Sequence, residues 1–82
     1  MINVKKINKF NRLNFDEFNL SIALVKDEFN YNIIGILKKN NKIIDYCETI
    51  NIYDRILVNK TYNIIINNRV CPCHFYNIID DI

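Results

Sequence analysis

The sequence predicts an all-β fold, a small antiparallel meander of five to seven short strands that closes into a barrel or stacks as a sandwich. The first observation is composition: fifteen of the 82 residues are asparagine and seventeen are isoleucine, with one glycine and one proline. Isoleucine, like the five tyrosines and five phenylalanines, suits a pleated and half-buried sheet. The second is that asparagine-containing turns separate apolar runs about every ten residues, as in a meander.

The N-terminal part of the chain leaves two alternatives open. Residues 2–7 alternate in polarity and predict a short strand, whereas residues 8–14 are polar and basic and indicate a loop. Residues 18–24 alternate over a longer stretch, which favours a strand. The alternative is one short N-terminal helix, because Asn14 and Glu17 resemble a capping box followed by apolar residues at helical spacing.

From residue 31 onward the alternation becomes regular. Residues 31–37 predict a strand, in which Gly35 marks a bulge or a close approach of another element. Residues 38–42 predict a hairpin turn, where Asn40 and Asn41 adopt the positive φ that glycine usually supplies.

The second half of the chain predicts four more strands joined by tight turns. The strands are residues 43–53 (bent near Thr49), 56–58, 61–66 and 69–76. Residues 77–82 follow as a tail or a final turn.

A chain of 82 residues is one domain, here residues 1–82, with a basic N-terminal segment over about residues 1–15. The net charge of the whole chain is only +2, so no polyanionic partner is implied by charge alone. The segment contains four basic residues and no acidic one: Lys5, Lys6, Lys9 and Arg12. A short run of this kind is typical of a solvated chain end, and binding to phosphate is the alternative.

Composition also bears on the compartment. No secretory signal is visible, and no apolar run approaches the length of a membrane-spanning helix. Three cysteines, an odd number, fit a reducing compartment better than a disulfide framework. We expect a soluble, cytoplasmic protein with no membrane partner. The predominance of residues with AT-rich codons predicts an AT-rich source such as a phage or other mobile element, and then the host cytoplasm.

The motif Cys71-Pro72-Cys73-His74 is the one segment with reactive groups, and Cys47 could join it in a structural zinc site. On a strand, His74 points away from the face that Cys71 and Cys73 share, so the ligands converge only if Pro72 breaks the strand. The simpler interpretation places the cysteines in the core of an edge strand marked by Pro72. An exposed or redox-active thiol is the third interpretation. We expect no metal and no cofactor.

No arrangement of residues predicts catalysis. There is one histidine, and a strand would separate it from the neighbouring cysteine side chains. A single glycine cannot form a phosphate-binding loop. We expect that the protein is not an enzyme.

The sequence therefore predicts a non-enzymatic protein–protein interaction module, such as a small inhibitor or virion component, that forms a homo-oligomer. One alternative is a small β-barrel that binds single-stranded nucleic acid through its tyrosines and its basic N-terminal segment. The other is a zinc-stabilised binding module. The candidate partner-binding residues are aromatic or basic side chains expected at strand surfaces: Tyr53, Arg55, Lys60, Tyr62, His74 and Tyr76.

Overall fold

The computed structural model describes residues 5–81, and side-chain burial for residues 5–80. Four strands come first: β1 (Lys6–Phe15), β2 (Phe18–Lys26), β3 (Tyr31–Lys39) and β4 (Lys42–Glu48). Helix α1 (Arg55–Asn68), a 3₁₀ turn (Pro72–His74) and helix α2 (Phe75–Asp81) follow. The strands pair antiparallel in chain order, β1-β2-β3-β4.

The predicted β-dominated antiparallel meander is confirmed, but its closure and strand count are wrong. The sheet is open and has four strands within the described residues, rather than the five to seven of a barrel or sandwich. The helices lie at the C-terminal end, not at the N-terminal end where the alternative placed one. Packing helices against one face buries that face without the need for more strands.

The core lies between the helices and one face of the sheet. Alternate residues of β2 and β3 supply its sheet side: Leu20, Ile22, Leu24, Ile33 and Leu37. The helical part of the chain supplies its other side with Val58, Tyr62, Ile65 and Phe75. None of the helices in residues 5–81 has the length and apolar character needed to cross a bilayer.

The predicted loop over residues 8–14 is wrong, because these residues belong to β1. The strand pairs with β2 from Lys6 to Phe15, with a bulge between Ile7 and Lys9. Its polar side chains hide the strand from sequence inspection, because an edge strand at the margin of the core needs little apolar surface. The first part of the predicted strand 2–7, up to residue 4, lies outside the described residues.

Both central strands are confirmed, and so is the turn that follows them. Residues 18–24 belong to β2 and residues 31–37 to β3, so the alternative of a helix over the first segment is wrong. Asn40 and Asn41 have φ of 52° and 67°, the paired positive values of a type I′ hairpin turn.

Another element packs closely against Gly35, as one of the two sequence interpretations predicts, and the strand has no bulge at this residue. The bulge in this part of the sheet lies between Leu37 and Lys38. At Gly35 the ring of Phe75 and the side chain of Pro72 pack directly onto the strand, and a Cβ atom would collide with the ring. The absent side chain therefore lets the C-terminal segment pack against the sheet.

The long strand predicted over residues 43–53 is shorter than expected. Strand β4 ends at Glu48, and the chain then rejoins β3 through a single bridge between Ile52 and Tyr31. Thr49 occupies the transition: its Oγ1 accepts a hydrogen bond of 2.9 Å from the Ile33 N–H. A side-chain hydroxyl thus satisfies a backbone donor where the ladder is interrupted.

The strands predicted over residues 56–58, 61–66 and 69–76 are wrong, because this region is helical. Asp54 caps α1: its Oδ1 accepts hydrogen bonds from the N–H groups of Ile56 and Leu57, at 2.9 and 3.1 Å. The buried residues of α1 follow one helix face at spacings of three, one and three: Val58, Thr61, Tyr62 and Ile65. Packing of this face outweighs the low helix propensity of β-branched residues.

Candidate functional site

The second face of the sheet is the candidate functional site, and we call it the open face. It is the face opposite α1 and α2, and among residues 5–81 the contacts of Lys5, Thr49 and Asn51 with Asn32 cover one end of it. The strand register orders its side chains in rows that run across the sheet. One row is Phe10, Ala23, Ile34 and Glu48, and the next is Arg12, Ser21, Ile36 and Tyr46.

The middle of the open face is apolar and uncovered. Phe10 on β1 is 52% exposed, and Tyr46 on β4 is 54% exposed. Ile34 and Ile36 lie between them on β3 and are half-buried. Ile43, which the register pairs with Lys38 of β3 on this face, adds another side chain that is 60% exposed. These five residues form a band across the whole sheet, which we call the apolar band. Contiguous exposed apolar surface of this kind marks an interaction site.

One end of the open face is polar and carries charges of both signs. A shallow depression of about 500 Å³ lies beside the two hairpin turns, and it is lined by Arg12, Lys38, Asp16, Glu17 and asparagine side chains. The ion pairs found among residues 5–81 are Lys5–Glu48 and Lys39–Glu17, at 3.7 and 3.2 Å. Arg12 and Lys38 form no ion pair in this part of the chain, although Asp16 and Glu17 line the same depression.

The opposite end of the open face is closed by a hydrogen-bonded group centred on Asn32, which is buried. Its Oδ1 accepts a hydrogen bond of 2.9 Å from Lys5 Nζ, and its Nδ2 donates to the carbonyl of Thr49 at 2.7 Å. Lys5 also pairs with Glu48. These contacts pair the charge of Lys5 at this end of the open face.

No protein-family model, curated protein or solved structure matches the chain. We therefore infer its function from the chemistry of its surfaces.

The predicted partner-binding residues do not gather on the open face. Tyr53 is 73% exposed and follows the Ile52 bridge, whereas Arg55 and Lys60 lie on α1, behind the sheet. Five positions separate these two along the helix, which turns them about 140° apart. His74 is exposed in the 3₁₀ turn, with its Nδ1 3.2 Å from Asn77 Nδ2.

Two of the predicted tyrosines have structural contacts. The Tyr76 hydroxyl accepts a hydrogen bond of 3.0 Å from the N–H of Ile50, although the side chain is partly exposed. Tyr62 is only 2% exposed, so its assignment to a partner-binding surface is wrong. Its hydroxyl lies 2.7 Å from Asn11 Oδ1 and 3.1 Å from the carbonyl of Ile22, which ties α1 to β1 and β2. Tyr62 points inward because it lies on the buried face of helix α1 and not on the exposed face of a strand.

The buried Tyr62 gives stability a dependence on alkaline pH. Burial raises the pKa of Tyr62 to about 12, from 10.0 for an ordinary tyrosine. The unfolded chain therefore loses this proton first, and the contribution of Tyr62 is complete below pH 10 and declines as the pH rises through about 12. We expect Tyr62→Phe to flatten the fall in unfolding free energy between about pH 10 and about pH 12 in urea titrations. Equal alkaline slopes in Tyr62→Phe and the wild type would contradict the assignment.

The cysteine motif is not a strand. The prediction that Pro72 marks an edge strand is wrong. Pro72 starts the 3₁₀ turn, so the chain is not extended here, which is the condition that a zinc site would require. Even so, no three His, Cys, Asp or Glu side chains within the described residues come together as a metal site. Cys47 and Cys71 are half-buried against the core, and Cys73 is exposed.

Asp45 sets the electrostatics around these thiols. Its Oδ2 accepts a hydrogen bond of 2.9 Å from the N–H of Cys73. Partial desolvation, together with the Asp45 carboxylate, raises the pKa of both Cys73 and Cys47. The thiolate is the nucleophilic and metal-binding form of cysteine. The surroundings therefore favour protonated, weakly reactive thiols.

Sequence reasoning missed the open face, although one signal for it was present. Residues 33–37 of β3 are apolar at every position, including Gly35. A strand that is apolar on both faces requires cover on both faces, as in a buried central strand. The described part of the chain covers only one.

Proposed function

We propose that the protein is a non-enzymatic protein-binding module that docks its partner on the open face. The observation that carries this proposal is the apolar band, which runs uncovered from Phe10 on one edge strand to Tyr46 on the other. Fully buried centres of protein interfaces are apolar and rich in aromatic side chains, and their rims are polar. The open face has this pattern, with an apolar middle and polar ends.

The polar end of the open face bears on the chemistry of the partner. Arg12 and Lys38 form no ion pair among the described residues, and Asp16 and Glu17 line the same depression. A partner surface with apolar side chains bordered by polar groups of both signs would complement both the band and this end. A second copy of the chain would present the same apolar band, so self-association through this face is the competing outcome.

Single-stranded nucleic acid is the second candidate, and one contact favours it. The Arg12 guanidinium lies 5.8 Å from the centre of the Phe10 ring on the open face. Aromatic rings beside cations provide stacking platforms for bases. Against it, isoleucines occupy the centre of the face, and Phe10 and Tyr46 lie on opposite edge strands, about 14 Å apart at ordinary strand spacing.

A pair of matched variants tests the proposal. Ile43→Ser removes an exposed side chain from the apolar band, and Ile56→Ser removes a more exposed isoleucine, 77% accessible, from α1 on the other side of the molecule. Both changes should leave the free energy of unfolding within about 0.5 kcal/mol, the usual range for surface sites. Only Ile43→Ser should weaken partner binding, by about tenfold or more for a well-packed contact.

The measurement is capture from a lysate of the source cell, read by mass spectrometry for protein and nucleic acid together. The captured partner is then titrated against the wild type and both variants, and hydrogen exchange of the complex locates the contact. Loss of affinity in Ile43→Ser alone, with protection on β3 and β4, supports the proposal. Equal binding by both variants would refute it. Nucleic acid whose affinity falls steeply with salt would favour the second candidate, and a concentration-dependent dimer by sedimentation would favour a second copy.

A further inference from the structure

The outer edge of β1 is a strand edge without a partner strand in the described residues. From Lys9 to Phe15 the strand keeps a regular register with β2, after the bulge at its beginning. The sheet order places β1 at the margin, and no strand among residues 5–81 pairs with its other side. An edge of this length presents backbone donors and acceptors that another chain can pair with.

The hairpin geometry identifies the backbone groups that are free. Phe15 and Phe18 flank the two-residue turn between β1 and β2, so they form a hydrogen-bonded pair. Hydrogen-bonded pairs then alternate along the ladder, and the intervening residues direct their N–H and C=O outward. On β1 these are Phe10, Arg12 and Asn14. Three residues with both groups unpaired can form up to six backbone hydrogen bonds with an added strand.

We propose that β1 binds an acidic peptide segment in extended conformation, which adds to the sheet as a fifth strand. The described part of the basic segment, residues 5–15, contains Lys5, Lys6, Lys9 and Arg12 and no acidic residue. Lys6, Lys9 and Arg12 lie on the strand itself and are exposed. Carboxylates opposite these cations form favourable cross-strand pairs.

The same charges argue against a second copy at this edge. An antiparallel pair of β1 strands brings Lys6, Lys9 and Arg12 of both copies alongside one another without a carboxylate between them. Like charges opposite each other destabilise a strand pair. Basic side chains on an edge strand are a recognised protection against self-pairing. The edge is therefore selective for an acidic strand.

This inference is independent of docking on the open face, because it concerns the backbone edge of β1 and not the side chains of the apolar band. The two surfaces meet at Phe10 and Arg12. A partner that uses both would lay an extended segment along β1 and a folded surface across the sheet.

The test uses the full chain and a synthetic peptide of about nine residues, long enough to span Lys9–Phe15, in which pairs of glutamates alternate with pairs of threonines so that both faces carry carboxylates. Backbone amide NMR follows the titration, and hydrogen exchange is measured with and without the peptide. We expect new protection at the amides of Phe10, Arg12 and Asn14. The amides of Asn11 and Leu13 already pair with β2 and serve as internal references.

Two control peptides separate backbone pairing from charge. N-methylation of alternate residues keeps the charge but removes the donors that strand addition needs, so this peptide should bind at least about tenfold more weakly, equal to about 1.4 kcal/mol. A lysine–threonine peptide should not bind. If the N-methylated peptide binds as tightly as the unmodified peptide, the interaction is charge attraction without strand pairing, and the inference is overturned. Failure of the glutamate peptide to bind at millimolar concentration would overturn it as well.

Two protein variants complete the design. Arg12→Gln removes the charge and keeps the outward N–H, whereas Arg12→Pro also removes that N–H, which proline can replace on an edge without loss of a β2 hydrogen bond. Affinity should fall in the order wild type, Arg12→Gln, Arg12→Pro. Shifts confined to β3 and β4 would support docking on the open face but overturn the edge site. Protection of the β1 edge without peptide, with a dimer in sedimentation, would assign the edge to a second copy and also overturn the inference.

Discussion

Phe75→Ala is expected to lower the free energy of unfolding by about 3–5 kcal/mol, the range for a large aromatic side chain removed from a core. Phe75 has no exposed surface and closes the core where the C-terminal segment meets β3. Its ring occupies the space above Gly35, in which a Cβ atom would lie 2.5 Å from Phe75 Cε2 and 3.2 Å from Pro72 Cγ. A small domain is stabilised by only about 5–15 kcal/mol in total, so this one change removes a large share.

The same contact predicts a coupling between Phe75 and Gly35. Gly35→Ala alone should cost about 1–3 kcal/mol, because the new methyl group forces the ring out of its position. In the Phe75→Ala background that methyl group meets empty space, so the double variant should lose less than the sum of the two single variants.

Urea unfolding of the four proteins measures this coupling. Phe29→Ala is the control, since Phe29 is an exposed phenylalanine in the β2–β3 turn and its loss should change stability by less than about 0.5 kcal/mol. Additive losses at positions 35 and 75 would contradict the proposed contact.

Tyr62→Ala is expected to have an effect of similar size, about 3–5 kcal/mol, for a second reason in addition to the cavity. The Tyr62 hydroxyl lies within hydrogen-bond distance of Asn11 Oδ1 and of the Ile22 carbonyl, so it joins α1 to the two strands at one margin of the sheet. Its removal leaves polar groups at the core without their donor, which adds to the cost of the cavity.

Two further variants divide this effect into its parts. Tyr62→Phe keeps the ring and loses the hydroxyl, so it should cost only about 0.5–1.5 kcal/mol. Tyr53→Ala, at an exposed tyrosine, should be nearly neutral. Hydrogen exchange should show faster opening of β1 in Tyr62→Ala, since Tyr62 holds that strand through Asn11. A loss confined to α1, with β1 unaffected, would contradict this link.

Side-chain alternation and turn chemistry were sufficient to predict the central part of the fold. Residues 18–24 and 31–37 are strands because their polarity alternates or their runs are apolar and β-branched. The turn at Asn40 and Asn41 followed from the tolerance of asparagine for positive φ. The close approach at Gly35 followed from the lack of a side chain. Each of these properties is local, so a single sequence contains it.

The C-terminal half was mispredicted because its local signals compete. Isoleucine-rich runs separated by Asn59, Lys60, Asn67 and Asn68 have the composition of strands and turns. The helical signal was also present, in the cap at Asp54 and in the spacing of Val58, Thr61, Tyr62 and Ile65. Composition alone favours strands over a helix in this region. The helix forms because these four residues are buried together against the sheet, and that burial exists only in the assembled core.

The candidate site shows the same division. The sequence predicts an exposed set of tyrosines and basic residues, most of them on or beside the strands expected over residues 56–76. This region is helical instead, so Tyr62 lies in the core, and Arg55 and Lys60 lie on a helix behind the sheet. The open face could have been inferred only from the uninterrupted apolar run of residues 33–37, and only with the knowledge that helices cover one face.

The sequence by itself determined an antiparallel meander with asparagine turns and a basic N-terminal segment. Tertiary structure alone decided that the sheet stays open, that the last third of the chain is helical, and that one face and one edge are left uncovered by the described residues. The physical reason is the range of the interactions. Turn conformations and alternation depend on residues close in sequence, whereas the choice of the covered face depends on contacts such as Tyr62 with Asn11 and Phe75 with Gly35, which join distant parts of the chain.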